Sequence, residues 1–121
     1  MKREEHEQRS IEMFGKPFPE VHEFLDQYFA MFGPYHRIVL HHRKGLELLN
    51  QQIPGPVRKV AEQHIIDDLG RIPDGFWDHD GPIKMIDHVF SKNTRQHKGR
   101  LIKVVCDLYP DQAHMIDTEY V

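Results

Sequence analysis

The chain has a single cysteine, Cys106, among its 121 residues. One cysteine cannot close a disulfide within the chain, and without further thiolates it cannot anchor a zinc site of the cysteine type. We therefore do not expect thiolate chemistry. A metal bound by this chain would need nitrogen and oxygen ligands.

Long apolar segments are also missing. No stretch approaches the roughly 20 apolar residues that cross a bilayer, and residues 1–5 lack the apolar core of a secretory signal. We therefore expect a cytoplasmic protein with no membrane partner. The formal net charge of −3 provides no overall positive field, so a nucleic-acid partner is not expected either.

Motifs for nucleophilic catalysis and phosphate binding are absent too. Ser10 and Ser91 lie in no Gly-x-Ser-x-Gly context, and there is no glycine-rich phosphate-binding loop. The sequence therefore assigns no catalytic residue.

The composition is that of a globular protein, with 39% hydrophobic and 29% charged residues. The length suits one domain, so we predict a single helical domain over residues 1–121. Residues 1–19 are expected to form a loosely packed arm or short helix, because a glycine and two prolines between residues 15 and 19 break any helix there.

Apolar residues recur at intervals of three and four along most of the chain, which is the helical period. The pattern predicts helices over residues 20–32, 35–52, 57–69 and 95–109. A short helix over residues 82–90, with a strand as the alternative, and one or two turns near residues 110–116 complete the set. The predicted fold is mainly α, a small bundle of four to six helices.

Ten histidines in this length are unusual, and histidine is both the commonest metal ligand and the side chain that titrates nearest to neutrality. His79, His88 and His114 are interpreted as surface residues. His64 and Asp68 share the apolar face of the predicted helix 57–69, where an ionised carboxylate needs a cation, a metal or several hydrogen-bond donors. We predict that both are buried, within reach of His41 or His42.

The predicted helix 35–52 supplies matching groups. His42 lies on its apolar stripe and His41 is one step round, while Gly45 in a helix interior suggests that something approaches closely there. Imidazoles and carboxylates that converge from facing helices are typical of metal centres in helical bundles. A divalent zinc, iron or manganese ion is expected. The candidate ligands are His22, His36, His41, His42, His64 and Asp68.

Two alternatives to a metal centre stay open. The same residues are typical of a buried hydrogen-bonded network that locks helices together, and they are also compatible with direct binding of a ligand without metal. Arg37 and Arg58 are candidates to orient a small anionic ligand. The basic run from Lys92 to Lys103 is interpreted as a solvated helix face, with a phosphate or acidic partner as the alternative.

Several of these residues form a recognisable pattern. Residues 36–45 are close to the pattern H-R-x(4)-H-H-x-x-G, with three residues rather than four between Arg37 and His41, and residues 57–73 follow V-R-x(3)-E-Q-H-x(3)-D-L-G-x-I-P. The pattern resembles a family of small uncharacterised proteins from bacteria and their phages, over about residues 6–77. This chain departs from it by carrying Pro54-Gly55-Pro56 in place of a polar insertion. The resemblance implies a bacterial or phage origin and no particular activity.

Two functions are carried forward from the sequence. The first is a metal site that hydrolyses a phosphorylated small molecule, where open coordination lets a water on the metal act as nucleophile. The second is a non-catalytic interaction or inhibitor protein, for instance one encoded by a phage, that sequesters a ligand or blocks a host protein. The sequence does not define the oligomeric state.

Overall fold

The computed structural model describes residues 2–78 and 95–115. The predicted segment 82–90, His79 and His88 lie outside these residues. The α-helices are α1 (Arg3–Phe14), α2 (Pro19–Asp26), α3 (Phe29–Phe32), α4 (Arg37–Leu40), α5 (Arg43–Gln52), α6 (Arg58–Leu69) and α7 (Arg95–Leu108), and 3-10 helices cover Gly33–His36, Phe76–Asp78 and Pro110–Met115. No strand occurs in the described residues, so the mainly α prediction is confirmed.

The described residues contain seven α-helices, because two of the four helices predicted there are each divided in two and Arg3–Phe14 forms a further one. The predicted helix 20–32 is divided into α2 and α3. The predicted helix 35–52 is divided at His41 and His42, where the backbone of His42 is extended with φ −166° and ψ 175°. The Nδ1 atom of His42 then accepts a hydrogen bond from the amide of Gly45 and caps α5.

Gly45 lies where the two halves of that broken helix meet. A Cβ atom at this position would stand 1.9 Å from the carbonyl oxygen of Leu40. The close approach expected at Gly45 is therefore made by backbone, and no larger residue fits without moving it.

Helix α6 follows the predicted helix 57–69 closely. It ends at Gly70, which has a left-handed φ of 79° and donates its amide to the carbonyl of Ile66 at 2.7 Å. This is the expected C-terminal glycine cap. The cap fixes where the helix that carries His64 and Asp68 stops.

The core forms around α4 and α6. Helix α6 packs against α1, α2 and α5, and α4 contacts α2, α5 and α7. The fully or almost fully buried apolar residues include Val21, Leu25, Ile38, Val39, Leu46, Leu49, Ala61, Ile65 and Leu101. Within the described parts of the chain, no helix is long and apolar enough to span a membrane.

Residues 1–19, expected to form a loosely packed arm or a short helix, contain a helix in the structure. Residues Arg3–Phe14 form a full helix that contacts α2 and α6, and its buried residues are His6 and Ser10. The apolar Ile11 and Met13 are instead 44% and 50% exposed. Helix α1 packs through polar side chains because the surface it covers is itself polar.

Candidate metal centre

Histidines are concentrated where α1, α2, α4 and α6 meet. Among the described residues, six histidines are no more than 4% exposed: His6, His22, His36, His41, His42 and His64. All except His42 surround two carboxylates, Asp26 and Asp68. We call these five histidines and two aspartates the histidine–aspartate cluster.

Helices α2 and α6 each supply the centre of this cluster with one histidine and one aspartate, four residues apart. His22 and Asp26 are four residues apart on α2, and His64 and Asp68 are four apart on α6. The Nε2 atom of His64 lies 3.2 Å from Asp26 Oδ1 and 3.3 Å from Asp68 Oδ2. One ring nitrogen therefore faces a carboxylate from each helix.

His41 enters the cluster from the end of α4. Its Nε2 atom lies 3.1 Å from Asp68 Oδ2 and 3.7 Å from Asp26 Oδ1. His36 approaches Asp26 from the side, with Nε2 3.0 Å from Oδ1, while its Nδ1 donates to the carbonyl of Gly33 at 2.8 Å. Asp26 Oδ1 thus has three imidazole nitrogens within 3.7 Å.

These separations match those between the ligands of a small cation. With metal–ligand bonds of about 2.1 Å, the corners of a tetrahedron are about 3.4 Å apart. Four of the six edges among His41 Nε2, His64 Nε2, Asp26 Oδ1 and Asp68 Oδ2 are between 3.1 and 3.7 Å. All four residues offer a ligand atom within 4.8 Å of every other. The donor atoms therefore fit around one divalent ion.

A buried hydrogen-bonded chain continues from His64 away from the carboxylates. His64 Nδ1 lies 2.7 Å from His22 Nδ1, and His22 Nε2 lies 2.7 Å from Ser10 Oγ. With His64 Nε2 directed at the carboxylates, its Nδ1–H donates to His22 and the Nε2–H of His22 donates to Ser10. Such a partner fixes the ring orientation and tautomer of a metal-binding histidine.

His6 covers the other face of His64. The two rings are stacked with centroids 3.6 Å apart and 11° between their planes, and His6 Nε2 lies 3.1 Å from Asp68 Oδ1. His6, His22 and His64 form a second group whose ligand atoms lie within 4.8 Å of one another. Because His64 belongs to both groups, it is the central residue of the cluster.

Both carboxylates are held in the ionised form. Burial alone would raise the pKa of Asp26, but hydrogen bonds from His36 and His64 outweigh it and hold this pKa well below its usual range. The same competition at Asp68, with hydrogen bonds from His41, His6 and His64, also lowers its pKa far below the usual range. The cluster therefore carries two negative charges for a cation to neutralise.

The pKa values of the buried histidines are shifted in opposite directions. Burial lowers the pKa of His41 to about 3 in spite of its hydrogen bond to Asp68. Burial, together with the neighbouring His64, lowers the pKa of His22 to about 4. Burial also disfavours the charge on His64, but hydrogen bonds to Asp26 and Asp68 prevail and raise its pKa. Asp26 and Asp68 thus favour the protonated form of His64.

A cavity of about 530 Å³ opens beside the cluster. Its lining includes Asp26, Asp68 and Arg37, and the side chain of Asp26 is 26% exposed whereas that of Asp68 is 3% exposed. Arg37 Nη2 lies 3.5 Å from Asp68 Oδ1. A molecule in this cavity would contact the carboxylates from the solvent side.

The structure places the other predicted site residues apart from this group. His42 is buried, but its Nε2 donates to the carbonyl of Ile38 and its Nδ1 accepts from the amide of Gly45, so these two bonds are to backbone. Arg58 is 45% exposed and pairs with Glu62 on its own helix. His64 and Asp68 are buried beside His41, as predicted, while their role as ligands remains a prediction.

Two cluster residues, Asp26 and His6, and the supporting residue Ser10 were not among the predicted ligands. The sequence does contain a pattern that points to Asp26, because His22 and Asp26 on α2 have the same four-residue spacing as His64 and Asp68 on α6. His6 and Ser10 share that spacing on α1, but no apolar period identifies the buried face of this helix. Only the fold shows that this polar face is turned inward.

Comparisons with known proteins give one match. A family model described as a domain of unknown function, DUF6915, matches residues 1–79. No curated protein and no solved structure matches the chain. The matched segment contains the whole histidine–aspartate cluster, since His6 is its first residue and Asp68 its last.

Proposed function

The chain belongs to the DUF6915 family, and we propose that it binds one divalent metal ion and uses it to hydrolyse a phosphorylated small molecule. The proposed ligands are Asp26, His41, His64 and Asp68. The observation that carries the proposal is the near-tetrahedral set of separations, 3.1 to 3.7 Å, between imidazole nitrogens and carboxylate oxygens.

Hydrogen bonding alone accounts poorly for the same positions. His64 Nε2 carries at most one proton but faces two carboxylate oxygens at almost equal distances. His36 already donates its Nδ1–H to the carbonyl of Gly33, so its Nε2 can donate to Asp26 only if the ring is charged. A cation bound by the lone pairs of His64 Nε2 and of the two carboxylates removes the need for one proton to serve two acceptors. The same cation neutralises Asp26, which lessens the need for a charged His36.

The ligand types suit zinc, iron or manganese. A divalent ion here would act as a Lewis acid and lower the pKa of a coordinated water. The four proposed ligands complete a tetrahedron, so a water that enters from the cavity past the partly exposed side chain of Asp26 would be a fifth ligand, as in the five-coordinate state of catalytic metal sites.

Arg37 supports a phosphorylated substrate. It lines the cavity and lies beside Asp68, where its guanidinium can bind a phosphate oxygen while the ester is attacked. In the reaction, water oxygen forms a new bond to phosphorus and the bond from phosphorus to the ester oxygen breaks. The alcohol leaves with one proton, and the products are that alcohol and inorganic phosphate.

Metal content tests the first part of the proposal. We expect about one zinc, iron or manganese per chain in tag-free protein by elemental analysis. Asp68→Asn should lose this metal, whereas Asp67→Asn, the neighbouring carboxylate that pairs with Gln63 and Arg9, should retain it. Asp26→Asn, at the exposed edge, should weaken binding as well, and circular dichroism checks that each variant is folded.

Activity tests the second part. Metal-replete protein should release inorganic phosphate from a panel of phosphate monoesters, and chelator-treated protein should not until metal is restored. If no stoichiometric metal is found and added metal leaves the melting temperature unchanged, the proposal fails. The cluster is then a structural hydrogen-bonded network, which suits the non-catalytic interaction protein. Bound metal without phosphate release refutes the hydrolase alone.

A further inference from the structure

The cavity beside the cluster is large for a phosphate group. Its volume of about 530 Å³ lies within the roughly 300–1,000 Å³ typical of sites for small organic molecules. Phosphate alone would occupy a small part of it. The remaining space should accommodate the organic portion of the substrate.

The end of the cavity next to the cluster is suited to the phosphate. Arg37 has one buried guanidinium nitrogen, Nε, without a hydrogen-bond partner, and only its Nη2 approaches Asp68. A guanidinium offers five N–H donors, so several remain for a phosphate. Lys2, Arg3 and Glu4 also line the cavity, and Arg3 pairs with Glu7. Once a divalent ion neutralises Asp26 and Asp68, Lys2 and Arg37 exceed the remaining carboxylate, Glu4, and make the cavity favourable for a dianion.

Phe29 gives the cavity an aromatic wall. Phe29 lines the cavity and is 55% exposed, although a phenylalanine is ordinarily buried. The ring of His36 packs against it at 81° with centroids 5.4 Å apart, which restricts its orientation. The next residue, Ala30, is small and also lines the cavity. An oriented aromatic ring with open space beside it is a stacking platform for a planar group.

From this arrangement we propose that the substrate is a nucleoside monophosphate, bound with its phosphate at the metal and Arg37 and its base stacked on Phe29. This inference rests on the proposed metal-dependent function and adds the class of substrate. A nucleotide joins a dianionic phosphate to a planar aromatic base through one sugar, which is the combination of groups that the cationic and aromatic side chains of the cavity select.

Calorimetric titration of metal-replete protein tests the inference. AMP and CMP should bind at least about tenfold more tightly than ribose 5-phosphate, which has the phosphate and sugar but no base, because stacking on an aromatic side chain contributes a factor of that order. Inorganic phosphate should be weaker still. Phe29→Ala should reduce AMP affinity to that of ribose 5-phosphate and leave ribose 5-phosphate binding unchanged.

Met31→Ala is the matched control. Met31 belongs to the same short helix and is 47% exposed, but it does not line the cavity. This variant should keep the preference for AMP. Equal affinities for AMP and ribose 5-phosphate, or an unchanged AMP affinity in Phe29→Ala, would overturn the nucleotide inference. Elemental analysis of the same samples distinguishes failure of the two proposals. Absence of bound metal refutes the metal-dependent function, whereas either of these two titration results refutes only the substrate class.

Discussion

Acid should destabilise the metal-free protein in a pH range that the cluster defines. His22 and His41 are buried and neutral, with pKa values lowered to about 4 and about 3, whereas both return to the ordinary value of about 6.5 in the unfolded chain. Between those values the unfolded state binds more protons than the folded state. The free energy of unfolding therefore falls as pH falls through this range.

Between pH 6 and pH 5, His22 and His41 contribute to this loss of stability, whereas the contributions of His64 and the two carboxylates stay nearly constant. His64 has a raised folded pKa, so its stabilising contribution is fully present below about 6.5 and is lost only at higher pH. The contributions of Asp26 and Asp68 are lost only below the unfolded carboxyl pKa near 3.8. Neither effect changes much between pH 6 and 5.

The magnitude follows from the proton linkage. Over this one unit, a histidine that titrates at 6.5 when unfolded and stays neutral when folded reduces the free energy of unfolding by about 1.2 kcal/mol. His22 and His41 together give about 2.4 kcal/mol. With a urea m-value of about 1–3 kcal/mol per molar, the unfolding midpoint should drop by about 1 M or more.

Urea unfolding of chelator-treated protein at several pH values between 6 and 5 provides the measurement. His22→Asn should reduce the loss of stability between pH 6 and pH 5 by about 1.2 kcal/mol, because one buried neutral imidazole is removed. His114→Gln, an exposed residue, should leave it unchanged. A free energy of unfolding that stays constant or increases from pH 6 to pH 5 would show that the two imidazoles are not held neutral by burial.

Two further predictions concern the support of the cluster and the fold. Ser10→Ala should weaken metal affinity by about tenfold, because His22 loses the partner that orients it against His64. Competition with a chromophoric chelator measures this affinity, and an unchanged value would argue against the supporting role of Ser10. Gly45→Ala should lower the free energy of unfolding by about 1–3 kcal/mol, because its Cβ would overlap the Leu40 carbonyl. Gly99 is at an exposed helical position where an added Cβ would have nothing within 4 Å, so Gly99→Ala should be neutral or stabilise the protein by up to about 1 kcal/mol. Equal changes in the urea unfolding of the two variants would refute the steric argument.

The sequence predicts the longer helices well where apolar period and end signals agree. Helix α6 has both, with a regular buried face and Gly70 as its cap, and the structure follows it closely. The predicted helix 35–52 also has a continuous apolar period, but the chain breaks inside it. That break depends on His42 capping α5 and on Leu40 lying against Gly45, which are contacts that a periodicity cannot reveal.

The break also explains why His41, rather than His42, reaches the carboxylates. On one continuous helix His42 lies on the buried stripe and His41 one step round, so only one of them is expected to point into the core. The extended backbone at His42 lets both be buried in different directions. His41 reaches Asp68, while His42 bonds to the backbone of Ile38 and Gly45.

Stability alone does not account for placing the histidine–aspartate cluster at the junction of four helices. Removing carboxylates from water carries a penalty that hydrogen bonds offset only when geometry is favourable, and replacing buried charged groups by apolar residues of similar volume is often neutral or stabilising. The surrounding core already supplies apolar partners such as Leu25, Ala61 and Ile65. Here Asp26 and Asp68 are instead kept ionised and directed at the same two ring nitrogens, those of His41 and His64. A bound divalent ion converts this concentration of charge from a cost into a source of stability, and this is why we favour a metal over a purely structural network.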